Sequence, residues 1–338
     1  MKVVVAGCGT GGAEFLRHYS GDVTVISPSS YLYCQALFPA YLAGKVSEDE
    51  VKVDLLPFFE EKGIKFRRGK VEFVKDKCKT VFLNLKTLKG VSYDKLVLAV
   101  GGEPIHVEGV EKALTLNDFE STKIAKKRIE RAREVAIVGS GMSGVEVAYE
   151  ISGFCNVTLI EYERRILPGM CEKVSDVVRK LLSREGVKIL TSCKVERISD
   201  TLKTSCGEFS FDEVIWCAGI KGKRVPGLKY GKSGIVVDSS LKATQNVFAI
   251  GDVAEVNIGD VATKTALEAE RQAKFVAKAI KSGKIGKYKP FSTLRNPFAI
   301  MTFDDEAILV RGDKVLTGKP IYKLKMLVVR KFLKNFER

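Results

Sequence analysis

Histidine is nearly absent: His18 and His106 are the two in 338 residues. That leaves too little imidazole for a histidine-rich metal centre or a Ser-His-Asp triad, so zinc and hydrolytic chemistry fall well down the range of functions. The eight cysteines, at positions 8, 34, 78, 155, 171, 193, 206 and 217, include no CxxC pair. Neither a zinc knuckle nor a thioredoxin-like dithiol is expected from them, and a disulfide scaffold is not expected in a chain of this length. Long apolar runs are missing too. Nothing approaches the roughly 20 residues of a membrane-spanning helix, and Val3–Ala6 is too short for the core of a secretory signal. The chain is expected to be neither membrane-spanning by a helix nor exported.

What is present is the composition of a globular protein, 45% hydrophobic and 29% charged residues, with length for two or three packed domains. Lysine and arginine number 56 against 41 acidic residues, a formal charge of +15. That excess favours anionic partners, whether nucleic acid, acidic lipid or a phosphate-rich cofactor. Local patterns choose among them. Lys2–Ala6 reads as a buried strand that breaks into Gly7-Cys8-Gly9-Thr10-Gly11-Gly12, then a helix through Phe15, Leu16 and Tyr19, then a strand at Val23–Ser27. In such a unit Gly7, Gly9 and Gly12 allow a tight turn and bring helix amides against a pyrophosphate. The pattern returns with a strand at Glu134–Val138, the turn Gly139-Ser140-Gly141-Met142-Ser143-Gly144, a helix over Val145–Ile151 and a strand at Val157–Ile160. Two complete units favour nucleotide cofactors and remove nucleic acid from the expected partners.

Between the two units, Ile64–Leu98 alternates in short pieces and reads as a small antiparallel meander, while Leu96–Val100 is apolar throughout, as a central strand would be. Asn117–Arg133 reads as a basic linking helix with a solvated face. Residues 172–185 form another helix capped by Gly186, and alternating strands follow from Val187 to Trp216. Val247–Ile250 is an apolar strand ending at Gly251-Asp252, and Thr263–Ser282 reads as a long helix. Phe298–Val310 reads as a hairpin turning near Asp304-Asp305, followed by a basic helix from Ile321.

These pieces together resemble the two-dinucleotide-binding flavoprotein reductases, the glutathione-reductase-like superfamily, over nearly the whole chain. Gly7–Gly12 looks like the FAD pyrophosphate motif, LVLAVGG (Leu96–Gly102, with Gly101 in its turn) like the strand and turn after the meander, Gly139–Gly144 like the NAD motif, and TQNVFAIGD (Thr244–Asp252) like the closing flavin motif. The resemblance implies an α/β fold of two Rossmann-like dinucleotide-binding domains plus a small C-terminal segment. FAD would occupy residues 1–110 and 226–290, NADH residues 111–225, and residues 291–338 would form a hairpin and a basic amphipathic helix. It further implies that Asp252, after Gly251, hydrogen-bonds the ribityl chain, and that the helix from about Thr263 points its N-terminus at the flavin ring. Lys264 either adds charge beside the ring or is a surface lysine. Glu161 would accept the adenosine ribose hydroxyls and favour NADH over NADPH, with Arg164 and Arg165 placed to soften that choice. Ser27 stands where the family commonly has an acid, so ribose binding on the FAD side would use a hydroxyl or other groups. Glu146 would lie where the nicotinamide meets the flavin, or simply complement its helix dipole.

The electron acceptor is less constrained. The segment Tyr31–Gly44 looks like the corresponding stretch of type II NADH:quinone and sulfide:quinone oxidoreductases, and Val23–Ser27 (VTVIS) leans toward the sulfide branch. The sulfide enzymes, however, use cysteines where this chain has Met142-Ser143, and no cysteine follows Cys217. Thr265–Gln272 matches the quinone-reductase run TAQxAxxQ in part, with Leu267 in place of glutamine. The leading expectation is an FAD-dependent NADH dehydrogenase passing electrons to a quinone. Beside it stand an NADH oxidase or coenzyme A disulfide reductase using Cys34, then a sulfide:quinone reductase. From another class comes a flavin-bearing redox-sensing or interaction protein. The expected location is the cytoplasm, peripheral on the inner face of a membrane. Residues 321–338 would meet anionic lipid there, with Ile321, Leu324, Leu327, Val328 and Phe332 on one side and Lys323, Lys325, Arg330, Lys331 and Lys334 supplying charge. Packing of that helix on the protein's own core stays open, as does a homodimer.

Overall fold

The computed structural model describes residues 1–84 and 88–337. Its first sheet is five parallel strands in the order Val247–Ala249, Lys95–Leu98, Lys2–Ala6, Asp22–Ser27, Lys65–Arg68. The three at the Val247 side are continuous apolar runs because helices cover both faces of a parallel sheet, and Val3–Ala6, Leu96–Leu98 and Val247–Ala249 are buried accordingly. Register is set at Ala6 opposite Ile26 and Leu98. The helices Thr10–His18 and Ala266–Ser282 pack together beside this sheet.

The sheet differs from the expected meander in one respect. Lys65–Arg68 pairs in parallel with Thr24–Ser27 as the sheet's edge, so the antiparallel meander comprises only Lys70–Lys75, Thr80–Asn84 and Leu88–Ser92. The sequence KFRR reads as polar because an edge strand shields little: Phe66 stacks on Phe59 while its neighbours face water.

A second parallel sheet runs Lys188–Leu190, Asn156–Ile160, Glu134–Val138, Glu213–Trp216, with the helices Met142–Ile151 and Glu172–Arg184 and a three-stranded antiparallel flap at 195–209. The expected basic helix is shorter than Asn117–Arg133. It spans Phe119–Ile129, starts where the Asp118 carboxylate accepts from the Ser121 amide (2.8 Å), and buries Phe119, Thr122, Ala125 and Ile129.

The C-terminal segment is a three-stranded antiparallel sheet, Phe298–Phe303, Glu306–Arg311 and Lys314–Gly318, followed by the helix Lys319–Lys334. The turn falls at Asp304-Asp305 as expected. The third strand escapes the sequence because it lies largely in solvent and leaves Leu316 exposed. The helix starts before Ile321 because Pro320 fits its first turn. Likewise the long helix begins at Ala266 rather than Thr263, because the Thr265 hydroxyl accepts from the Glu268 amide and caps it.

Candidate active site

The first glycine turn follows from close backbone approach. Gly7 has φ +96°, and a Cβ there would lie 2.3 Å from the Ala99 carbonyl oxygen; one on Gly12 would lie 2.0 Å from the Gly7 carbonyl oxygen. Only hydrogen fits at either place. A Cβ on Gly9, in contrast, would meet nothing within 4 Å, and that open space lies at the N-terminus of Thr10–His18, where a pyrophosphate fits. Gly11 packs toward Ala269 and Ile250. Ser27 ends its strand buried, its hydroxyl accepting from the Cys8 thiol at 3.1 Å. Burial pushes that thiol up to about 11.

Gly101 and Gly251 both sit in left-handed turns at the ends of neighbouring strands (φ +76° and +69°). Asp252 follows. Burial raises its carboxyl above the usual carboxylate range, with the Lys264 charge opposing. Among the described residues its side chain accepts no hydrogen bond. Lys264 is not a surface lysine: its ammonium donates to the carbonyls of Asp252 (2.5 Å) and Ala254 (3.2 Å), and burial lowers its pKa. The Gly251 amide donates to Gln272 Oε1 at 2.7 Å, which ties the turn to the helix Ala266–Ser282. At the start of that helix Glu268, 1% exposed, accepts from Tyr288 and from the amides of Phe291 and Ser292.

The second turn repeats the first. Gly139 has φ +96°, a Cβ on Gly144 would lie 2.0 Å from the Gly139 carbonyl oxygen, and one on Gly141 would meet nothing. Glu161 is buried at the end of its strand, one carboxylate oxygen accepting from the Ser140 amide (2.9 Å) and hydroxyl, the other from the Glu163 amide (2.8 Å). The loop thus fixes the carboxylate beside the second glycine turn. Arg165 is unavailable to soften nucleotide choice, because its guanidinium donates to Ser175 and to the carbonyls of Leu167, Pro168 and Met170. Arg164 remains exposed.

Glu146 and Lys325 are where the structure departs most from expectation. Glu146 Oε1 accepts from Lys325 Nζ (2.7 Å), from the Thr302 amide (2.7 Å) and from the Thr302 hydroxyl (2.9 Å). Glu146 is therefore neither a free nicotinamide ligand nor a simple dipole partner. Lys325, assigned above to the charged outer face, is 8% exposed. A signal for this was present: Lys325 lies on the i, i+4 line through Ile321, Val329 and Leu333, the packed side of the helix. Cys34 is buried nearby, and burial pushes its thiol up to about 11 although the Lys325 charge works against the shift. A second missed feature is a disulfide between Cys193 and Cys206.

Two glycine turns on two parallel sheets, both shaped for pyrophosphates, define an NAD(P)H-dependent oxidoreductase of the two-nucleotide class. The chain belongs to the pyridine nucleotide-disulphide oxidoreductase family, whose model matches residues 1–283; the family binds FAD and NAD(P)H. A probable ferredoxin reductase of Castellaniella defragrans is 30% identical over 279 residues, covering 75% of this chain and 67% of that protein. The solved NAD-dependent persulfide reductase of A. fulgidus is 25% identical with a TM-score of 0.81, covering 92% of this chain and 64% of that one. NDH2 of Plasmodium falciparum, at 17% identity, superposes with a TM-score of 0.87 over 99% of this chain and 96% of that one, a likeness of fold. The match to the nitric oxide reductase FlRd-NAD(+) reductase of Vibrio vulnificus, 28% identical over 180 residues, covers 48% of this chain and 47% of that protein.

Proposed function

We propose that this protein is an NADH dehydrogenase of the type II kind, which passes electrons from NADH through FAD to a quinone at the surface of a membrane. In this reading residues 1–110 and 226–290 hold FAD, residues 111–225 hold NADH, and residues 291–338 meet the acceptor and the bilayer. Bound FAD supplies two-electron acceptance from the nicotinamide and onward transfer; the protein supplies alignment. Asp252 accepts from the ribityl chain. The N-terminus of Ala266–Ser282 and the Lys264 charge favour negative charge on the ring, the helix end contributing about 0.3–2 kcal/mol. Glu161 selects the ribose diol and repels a 2′-phosphate, and Arg165 is not free to reverse that preference.

The observation that carries the quinone reading is the C-terminal helix. One side is anchored inward by Val329, Leu333 and Phe336, the last in edge contact with Phe58, and by the Lys325 ion pair to Glu146. The other side leaves Leu324, Leu327 and Val328 exposed in a ridge flanked by the exposed Lys323, Arg330, Lys331 and Lys334. Such a face enters the headgroup layer of an anionic bilayer, while the same helix reaches the interior at Lys325. The fold of NDH2, alike over nearly the full length of both chains, supports the same assignment. The raised Cys34 thiol speaks against disulfide or peroxide chemistry at that residue, since the thiolate is the reactive form.

Steady-state NADH oxidation with a short-chain quinone, run beside oxygen and coenzyme A disulfide, tests the reading. The protein is expected to purify yellow and to turn over fastest with the quinone. Rapid reduction of coenzyme A disulfide that Cys34→Ser abolishes would replace the quinone assignment with the thiol one.

A further inference from the structure

Cys193 and Cys206 lie 13 residues apart, with Cα atoms 5.5 Å from each other, inside the usual span of a disulfide. Cys206 is exposed in the turn of the antiparallel flap, between the strands Leu202–Thr204 and Gly207–Phe209. Cys193 is 1% exposed and sits directly behind the Glu161 turn. Its amide donates to the Glu161 carbonyl at 2.9 Å, the Ser192 amide donates to the Glu163 carbonyl at 2.8 Å, and the Glu161 amide donates to the Leu190 carbonyl at 2.8 Å. Ser192, between these anchors, holds φ +55°, a conformation a non-glycine residue keeps only where its surroundings impose it. The disulfide therefore ties an accessible flap to the backbone that presents Glu161. The site also suits the open form: Thr204 Oγ1 lies 3.3 Å from Cys193 Sγ, an acceptor in place for a buried thiol.

We propose that Cys193–Cys206 is a reversible redox site that sets the affinity for NADH by tightening or loosening the Glu161 turn, and that its reagents are small thiols and small disulfides. The inference rests on Glu161 binding the adenosine ribose. In the reducing direction a small thiolate attacks the exposed Cys206 sulfur. The protein S–S bond breaks, and Cys193 leaves as a thiolate that takes a proton from solvent and donates to Thr204. A second small thiolate then attacks the outer sulfur of the mixed disulfide, releasing the small disulfide and Cys206. The balance is one protein disulfide and two thiols giving one protein dithiol and one small disulfide, and the oxidising direction is the reverse. With the bond open, the turn samples arrangements that do not present the carboxylate, so apparent affinity falls by the fraction that remains competent.

The test uses the flavin-loaded full chain equilibrated with dithiothreitol or with oxidised glutathione. Alkylation under denaturing, non-reducing conditions with peptide mass analysis should find the Cys193 and Cys206 peptides joined to each other only in the oxidised sample, the buried Cys8 and Cys34 reacting in both and the exposed Cys78 carrying glutathione at most. Anaerobic stopped-flow bleaching should then give a Kd for NADH about threefold to tenfold higher in the reduced form, with the limiting rate of flavin reduction unchanged. Cys206→Ser should show the reduced-form Kd and ignore both reagents. Failure of oxidised glutathione to join the pair, or equal Kd values in two forms that both bleach, overturns the inference alone. Absence of bleaching in both forms overturns the NADH reading and the inference with it.

Discussion

Changing Leu324, Leu327 and Val328 together to serine removes the exposed apolar ridge of the C-terminal helix while leaving its packed side intact. The three side chains are 44%, 64% and 55% exposed. Full burial of a leucine or valine is favourable by about 1.5–3 kcal/mol, so the half still open to solvent offers ~1 kcal/mol each on entering a bilayer. Loss of all three costs ~3 kcal/mol, about a hundredfold in partitioning. The flanking basic residues add about 1 kcal/mol each near anionic lipid, screened as salt rises. Co-sedimentation with anionic vesicles should therefore show wild-type binding that weakens with salt and a triple variant that stays in the supernatant with its flavin and its NADH-dependent bleaching. Truncation before Ile321 is a poorer test, because it also deletes the buried Phe336 and Lys325. Equal sedimentation of wild type and triple variant would refute the docking argument.

Glu161→Ala should narrow the preference for NADH over NADPH in stopped-flow flavin reduction, since the diol acceptor and the repulsion of a 2′-phosphate disappear together. Cys34→Ser should keep NADH:quinone turnover. The wild-type Cys34 thiol should alkylate slowly at pH 8, and because its pKa rises on folding from 9.0 to about 11, its stabilising contribution is complete below about pH 9 and lost as pH climbs through 11, readable as falling thermal stability that Cys34→Ser lessens. Lys325→Met should lower stability by about 3–5 kcal/mol, because Glu146 is left charged and buried without its cation; adding Glu146→Gln should recover part of the loss in a denaturant titration.

Both glycine turns and the strands feeding them are legible in the sequence, because strands buried on two faces must be apolar runs and close backbone approach demands glycine at fixed spacing. Lys65–Arg68 is not legible. Its membership in the first sheet comes from hydrogen bonds to Thr24–Ser27, and its side chains, mostly in water, carry no trace of them. Lys325 misleads for a related reason: a lysine on an amphipathic helix is ordinarily solvated, and the partner that buries it is 179 residues away in the chain. The Cys193–Cys206 pair hides similarly, since only the folding of the flap brings positions 13 apart into bonding range.

The order of strands in the first sheet bears on how the polypeptide acquires its shape. Lys95–Leu98 has Lys2–Ala6 on one side and Val247–Ala249 on the other, so this sheet is incomplete until the ribosome has released roughly three quarters of the chain. The second sheet draws all its strands from one continuous stretch, Glu134–Trp216. Non-local pairings pay for loop closure before they are rewarded, so the contiguous unit is set to become protected first and the split one to close around it. Pulse-labelled amide exchange during refolding should show Val135–Val138 protected before Val3–Ala6, and the nucleotide selector would then be in place before the flavin has a complete bed to lie in.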